Sequence, residues 1–316
     1  MEKKTEGSWY DQLTLKAMNL KPLKTAVVHP LDANSLRGVI ASAKANFIIP
    51  ILIGPKEKIT AISKENNLDL DPYEMLDTKH SHDSAERAVD LAKRGEVEAL
   101  MKGKIHTDEL IEAVLDKEKG LRTGRRLSHV FALKLPNYHK PLFITDAAIN
   151  IRPTLSEKRD IVQNAIDLFI SLGLGTPKVA IVCAVETVNE KIPSTLDATA
   201  LCKMAERGQI SGGVLDGPLS FDLAISMESA NIKGIYSSVA GDADILIVPD
   251  LESGNMLFKE MSYLTGVEAA GIVLGASVPI ILTSRSSDEL TRKASSAMAL
   301  IYARHKVEMT SIKYYE

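Results

Sequence analysis

The sequence predicts an α/β protein built on mostly parallel sheets and divided into two domains. Three observations carry that expectation: strand-length runs that are apolar throughout, amphipathic segments between them, and a polar break near mid-chain. Parallel strands covered on both faces by helices read as unbroken hydrophobic runs, whereas strands with one wet face alternate. Strand–helix alternation implies parallel strands joined by right-handed crossovers.

Taken in order, a strand is expected at Lys24–Pro30 (KTAVVHP), a helix at Ala33–Ala45 and a strand at Asn46–Gly54 (NFIIPILIG). A helix follows at Ser81–Arg94, a strand at Val97–Gly103 (VEALMKG) and a short helix at Asp108–Leu115. The stretch LPNYHKP then interrupts the pattern and places a hinge near Tyr138–Pro141. Beyond it come a strand at Pro141–Ala148, a helix at Glu157–Leu172, a strand at Lys178–Glu186 and a helix at Ser194–Arg207. Gly212–Gly217 and Ala243–Leu251 read as strands, Asn255–Leu264 as a helix, Val278–Ser284 as a strand and Glu289–Arg304 as the last helix. The expected division is a first domain of residues 1–140 plus 272–316, to which the last helix returns, and a second of residues 141–271.

With 316 residues, 45% of them hydrophobic and 25% charged, the composition is that of an ordinary globular protein. A net charge of −3 argues against nucleic acid or an anionic membrane as partner, so any anion site is local. The polar start MEKKTEGSWYDQ lacks the apolar core of a secretory signal. No apolar run reaches the roughly 18–20 residues of a membrane span. Two cysteines, Cys183 and Cys202, form neither a disulfide framework nor a CxxC metal pair. A reduced, cytoplasmic protein is expected.

Ligands of open parallel sheets bind at the carboxyl ends of strands. The loops there are KGKIHT, TDAAINIRP, VETVNEKIPST, LDGPLSFD, VPDLESGN and TSRSSDE, all polar or charged. In TSRSSDE, Ser286 and Glu289 have capping-box spacing, so a helix should start there and offer free N–H groups to an anion beside Arg285. The alternative is an arginine on the surface over a well-capped helix. Lys102, Gly103, Lys104 and Thr107 follow a strand without the spacing of a Walker A loop; a solvated basic turn is the plainer reading. Asn255 and Lys259 are four apart on one helix face, although an asparagine at a helix start is commonly only a cap. Thr145, Asp146, Asn150 and Arg152 gather at another strand end. Gly217-Pro218, between Asp216 and Asp222, reads as a tight turn rather than part of a metal site. GLGTP lacks a dinucleotide fingerprint, no G-x-S-x-G elbow occurs, and no HExxH pair is present. Cys183, inside an apolar run, reads as a buried structural thiol.

Read together, the stretches MKGKIHTDEL, GRRLSHVFAL, ITDAAINIRPTLSEKRDIVQNA, PKVAIVCAVETVNEKIPSTLDA, GGVLDGPLSFDLAIS, VAGDADILIVPDLESGNMLFKEMSYL and GASVPIILTSRSS resemble the phosphate acetyltransferase/phosphate butyryltransferase family. The resemblance runs from about Leu100 to Ala303. It implies two α/β/α domains flanking an interdomain cleft, as in isocitrate and isopropylmalate dehydrogenases but without NAD. It implies the reaction acyl-CoA + phosphate ⇌ acyl phosphate + CoA, a homodimer, no metal and no tightly bound cofactor, coenzyme A being a substrate. Its small-molecule partners would be acyl-CoA, phosphate and acyl phosphate.

Carried over by this resemblance, Ser284 and Arg285 match the family's Ser-Arg pair, with Arg285 on the phosphoryl group and Ser284 on the thiol or carbonyl. Asn255 and Lys259 match its Gly-Asn-x-x-x-Lys. Lys102, Thr107, Asp146, Asn150, Ser286 and Lys293 are further expected substrate contacts. The chain departs from acetyltransferase members in having Ser286 after Arg285 and Thr291 near the position of a helix aspartate; with Lys293, this form resembles the butyryl branch. Asp288 and Glu289 are the nearest carboxylates to serve as base, and Asp288 is the expected third catalytic residue. The competing readings are a catalytically impaired CoA- or acyl-phosphate-binding homologue and a metal- and NAD-dependent dehydrogenase of the same architecture.

Overall fold

The computed structural model describes residues 9–283 and 288–312. In chain order its elements are α1 (Trp9–Ala17), β1 (Leu23–Val28), α2 (Ala33–Lys44), β2 (Ile48–Gly54), α3 (Lys56–Glu65), β3 (Glu74–Asp77), α4 (Ser81–Lys93), β4 (Ala99–Lys102), α5 (Thr107–Leu115), β5 (Ser128–Lys134), β6 (Leu142–Thr145), α6 (Leu155–Ser171), β7 (Lys178–Val182), α7 (Pro193–Glu206), β8 (Val214–Leu219), α8 (Phe221–Ile225), α9 (Met227–Ile232), β9 (Ile245–Ile247), α10 (Leu251–Thr265), β10 (Glu268–Leu274), β11 (Ile280–Ile281) and α11 (Glu289–Ile312). They fall into two compact units, residues 1–125 with 270–316 and residues 126–269.

In the first unit the strand order is β3-β2-β1-β4-β11-β10. β1, β2, β3, β4 and β11 pair in parallel, and β10 runs against β11. The chain winds outward from β1 to β3, then crosses to the other side of β1 to lay down β4. That reversal makes the carboxyl ends of β1 and β4 a topological switch point, where such sheets hold ligands. Val27, Val28, Leu52, Ile53, Ala99 and Leu100 are wholly buried, as their unbroken apolar runs require. α2 is capped by Asp32, whose carboxylate accepts the Ser35 N–H at 2.8 Å. The last helix belongs to this unit: Ser296 of α11 bonds Ser42 of α2 at 3.0 Å, and Arg304 pairs with Glu98 and with the Lys21 and Pro22 carbonyls. Trp9, Leu13 and Ala17 bury the inner face of α1.

In the second unit the order is β5-β6-β9-β7-β8, parallel except that β5 runs against β6. Leu142, Ile144, Ala180 and Leu246 are wholly buried in its core, and Phe131 of β5 stacks on Phe258 of α10 with centroids 3.5 Å apart. α6 begins in a capping box between Thr154 and Glu157.

A charge network closes the amino ends of these strands. Asp242 accepts from Lys178 at 2.5 Å and Lys140 at 2.9 Å, and His139 approaches at 3.0 Å; Lys140 also reaches Asp244 at 2.8 Å. Burial alone would raise the Asp242 pKa, but hydrogen bonds from Lys178 and Lys140 outweigh it and hold the carboxyl down at about 2. A depressed carboxyl pKa stabilises the fold above the unfolded value of 3.8 and loses that contribution as pH falls through about 2. Asp242→Asn is therefore expected to cost about 1–2 kcal/mol at pH 7 and progressively less toward pH 2. Thermal melts of both proteins from pH 2 to 7 check this; curves separated by the same amount at every pH would refute it.

Three strands (β3, β5 and β10) and four short helices (α1, α3, α8 and α9) of the described residues fall outside the sequence expectation. β3 is four residues long with both ends exposed, too short to show a pattern. β10 opens Glu-Ala-Ala-Gly, poor strand formers that burial overrides. β5 carries Ser128 and His129, both wholly buried, inside its apolar run. α1 and α3 are short and polar enough to pass for connections. The expected tight turn at Gly217-Pro218 is corrected: both residues lie within β8. β8 is an edge strand, where proline costs no ladder hydrogen bond, and a Cβ at Gly217 would fall 2.7 Å from the Ile181 Cβ of its neighbour β7.

Candidate functional site

In the first unit, the loop after β4 is bound to the end of β1. Gly103 N–H donates to the Val28 carbonyl at 2.9 Å and Lys104 N–H to the His29 carbonyl at 2.8 Å. A Cβ on Gly103 would lie 2.5 Å from the Val28 oxygen and 2.7 Å from the Pro30 Cα, so only glycine brings the Lys102–Lys104 loop this close. Lys102 is buried, its Nζ 3.5 Å from the Gly103 carbonyl, while Lys104 is exposed. Thr107 opens α5, half-buried, after an N-cap residue, His106, with no side-chain capping bond. Met101 pairs with Ile281, so Leu282 and Thr283 leave β11 beside Lys102 and Gly103. A recess of about 360 Å³ opens at this end of the sheet, lined by His29, Leu31, Ser81, Lys104, His106 and Glu109. Burial holds the His29 pKa below its usual range. Burial of Glu109 is outweighed by hydrogen bonds from Ser81 and His82, so its carboxyl sits below the usual range.

The expected residues Ser284, Arg285 and Ser286 lie outside the described residues. The expected capping box is corrected in part: α11 begins at Glu289, and its cap is Asp288, which accepts the Thr291 N–H at 2.8 Å. An aspartate directly before the first helical residue supplies the capping oxygen, which leaves Glu289 outside the third position that such a box requires. Asp288 is exposed and Lys293 half-buried, both on the opening turns of α11.

In the second unit, the loop after β6 is organised by one carboxylate. Asp146 accepts the N–H groups of Ala148 at 2.9 Å, Ile149 at 3.1 Å and Asn150 at 3.0 Å, and also the Asn150 amide. Asn150 in turn donates to the Leu127 carbonyl at 2.8 Å and accepts from Arg126 Nε at 2.6 Å; Arg126 pairs with Glu157 at 3.0 Å. Asp146 and Asn150 are 3% and 2% exposed. Their polar atoms are taken up inside the loop, so they shape it.

α10 begins at Leu251, four residues before the expected start, with Asp250 as its cap on Ser253 N–H at 2.9 Å. Asn255 is therefore inside the helix, and its Nδ2 donates to the Ala147 carbonyl at 3.1 Å. A Cβ at Gly254 would sit 2.9 Å from the Asp146 carbonyl oxygen and 2.7 Å from Val248, so glycine admits this helix against the Asp146–Asn150 loop. Lys259, one turn on, is exposed. The fold thus brings Asp146, Asn150 and Asn255 together in this unit and sets Lys259 on the same face of α10 as Asn255. Cys183 is buried at the end of β7, where burial raises its pKa.

Sequence reasoning missed Arg126, which holds Asn150, and Arg292, which is 3% exposed on α11. The signal for Arg292 was present as Asp288 and Arg292 at helical i, i+4 spacing.

Residues 81–300 match the family described as phosphate acetyl/butaryl transferase. A protein of Rhizobium meliloti named phosphate acetyltransferase is 56% identical over 301 residues, covering 95% of each chain. One of Clostridium acetobutylicum named phosphate butyryltransferase is 39% identical over 297 residues, covering 94% of this chain and 99% of that one. Among solved structures, a branched-chain phosphotransacylase of Enterococcus faecalis V583 superposes with a TM-score of 0.77 at 30% identity, covering 89% of this chain and 99% of that one.

Proposed function

This chain belongs to the phosphate acetyl/butyryltransferase family of acyltransferases, and on that premise we propose that it moves a short acyl group, acetyl before butyryl, between coenzyme A and inorganic phosphate. The observation that carries the reading is the pair of glycine-pinned loops at strand carboxyl ends. One sets Lys102 and Lys104 at the β1/β4 switch point; the other sets Asn255, with Lys259 beyond it, against the Asp146–Asn150 turn.

A phosphate oxygen attacks the thioester carbonyl and a tetrahedral oxyanion forms. Its collapse breaks the C–S bond, releasing acyl phosphate and CoA thiolate. Arg285 binds the phosphate and offsets oxyanion charge, an interaction worth several kcal/mol where donors are already in place. Ser284 hydrogen-bonds the sulfur or carbonyl, and Ser286 and Lys293 contact the substrate. Lys102, Lys104 and Lys259 favour the thiolate, whose conjugate acid ordinarily has a pKa of ~8.5. Thr107 adds a hydroxyl at the start of α5. Asp288 is the carboxylate for proton transfer to and from the thiol in the reverse direction. Asp146 and Asn150 act through the loop they organise.

Coenzyme A is a substrate here and not a resident cofactor, and the protein works as a cytoplasmic homodimer. Free Cys183 and Cys202 accord with a reducing compartment, and no helix among the described residues is long and apolar enough to cross a membrane.

The test is phosphate-dependent release of free thiol from acetyl-CoA and butyryl-CoA by purified protein. Release that requires phosphate is the expected result, faster with acetyl-CoA. No release from either by folded protein would support the binding-only alternative. Butyryl exceeds acetyl by two methylenes, each worth ~1–3 kcal/mol of discrimination, so the two rates should differ by about 30-fold or more.

A further inference from the structure

We propose that Arg292 is a positioning residue: buried against Gly38 where α11 crosses α2, it fixes the first turns of α11, on which Asp288 and Lys293 sit. The crossing is built from small and polar groups. On α2 the residues facing α11 are Gly38 and Ser42; on α11 they are Arg292 and Ser296, one turn apart in each helix. A Cβ at Gly38 would lie 2.2 Å from the Arg292 Cδ and 2.9 Å from its Cβ, so the glycine makes the channel in which the arginine stem runs. Burial disfavours the guanidinium charge, and the carboxylates of Asp32 and Asp288, the caps of α2 and α11, partly offset that.

Neighbouring contacts lock the same turns. Ser296 bonds Ser42 at 3.0 Å, Ser295 accepts the Gly271 N–H of β10 at 2.9 Å, and the Thr291 hydroxyl lies 3.3 Å from that of Tyr10 on α1. An arginine 3% exposed is a rare and costly choice for a helix crossing that leucine could fill. Both of those carboxylates are helix caps, and Asp288 is itself the expected third catalytic residue. An arginine stem seated in the Gly38 channel gives the first turns of α11 one position relative to α2. The kinetic consequence rests on the acyltransferase reading; the structural one does not.

Two variants test this, Arg292→Met and Gly38→Ala. The second keeps the arginine but fills its channel, and it raises intrinsic helix propensity. Amide hydrogen exchange reads the local effect: Thr291 to Ser296 should lose protection about 10-fold or more, while α6 in the other unit is unchanged. In phosphate-dependent thiol release, kcat should fall about 10-fold or more with the KM for acyl-CoA within about twofold, since misplacement and not contact is lost. Arg292→Lys, which keeps the stem and the charge, should retain more of the activity than Arg292→Met. Unchanged exchange in α11 in both variants overturns the proposal. So does a kcat unchanged in both variants when the wild type is active. A wild type without phosphate-dependent release refutes the functional reading and leaves the exchange result to decide the positioning role.

Discussion

Replacing Arg285 with alanine is expected to lower kcat for phosphate-dependent thiol release by about 10²–10³-fold, the effect of removing one donor from a developing oxyanion. The reaction brings a multiply charged phosphate to a thioester carbonyl and then places negative charge on the carbonyl oxygen. A guanidinium meets both demands because its paired N–H groups match a phosphate edge while its charge offsets the oxyanion. Lysine keeps the charge but loses the planar fork, so Arg285→Lys should fall between alanine and wild type, about 10-fold below the latter. Steady-state rates across phosphate concentrations, beside a thermal melt, make the comparison. An Arg285→Ala enzyme within about threefold of wild type would remove Arg285 from the mechanism.

Asp146→Ala should be the most damaging change to the second unit. The carboxylate, itself 3% exposed, accepts three backbone N–H groups and the Asn150 amide, those of Asn150 buried and those of Ala148 and Ile149 part-buried. Alanine leaves those donors without their acceptor, at about 1–3 kcal/mol for each buried donor that finds no water, so a net loss of about 3 kcal/mol or more is expected. Asn150 would also lose its orientation toward Arg126 and the Leu127 carbonyl. Activity should fall with stability, because Asn255 is bonded to the Ala147 carbonyl inside the same loop. Asp146→Asn keeps one acceptor oxygen and should lose roughly half as much stability as the alanine variant. Urea unfolding of the three proteins gives the order. A loss under about 1 kcal/mol in Asp146→Ala would show that water replaces the carboxylate at little cost.

The parallel core was legible because its strands are buried on both faces and therefore apolar throughout, as in Val27–Val28 and Leu52–Ile53. The strands that escaped notice break that rule: β5 buries Ser128 and His129, and β10 buries small residues and a glycine. Proline in β8 signalled a turn because edge position, which makes it tolerable, is a property of the assembled sheet. Loops at strand ends were legible as polar interruptions, and the family resemblance picked out Asn255 and Asp146 within them. What those residues do was less legible. Nothing in TDAAINIRP says that Asp146 faces its own backbone, since that depends on how the chain turns after β6. Arg292 was passed over because a charged residue in an amphipathic helix is usually on its wet face. Only the missing Cβ of Gly38, distant in sequence, makes room for it inside.

The first unit is assembled from two stretches of chain separated by the whole of the second, and this sets an order of events during synthesis. Residues 126–269 emerge as one continuous stretch and can fold as soon as they leave the ribosome. At that moment β4 has no neighbour on its far side, because β11 and α11 have yet to be made. Until they arrive, β4 offers an open hydrogen-bonding edge of the kind that recruits other strands, and α2 and α1 present bare faces where α11 will lie. A nascent chain stalled between β10 and α11 would be the most aggregation-prone species this sequence produces. The long, many-bonded final helix would then serve assembly as much as the finished fold, closing the earlier half of the protein in its last steps.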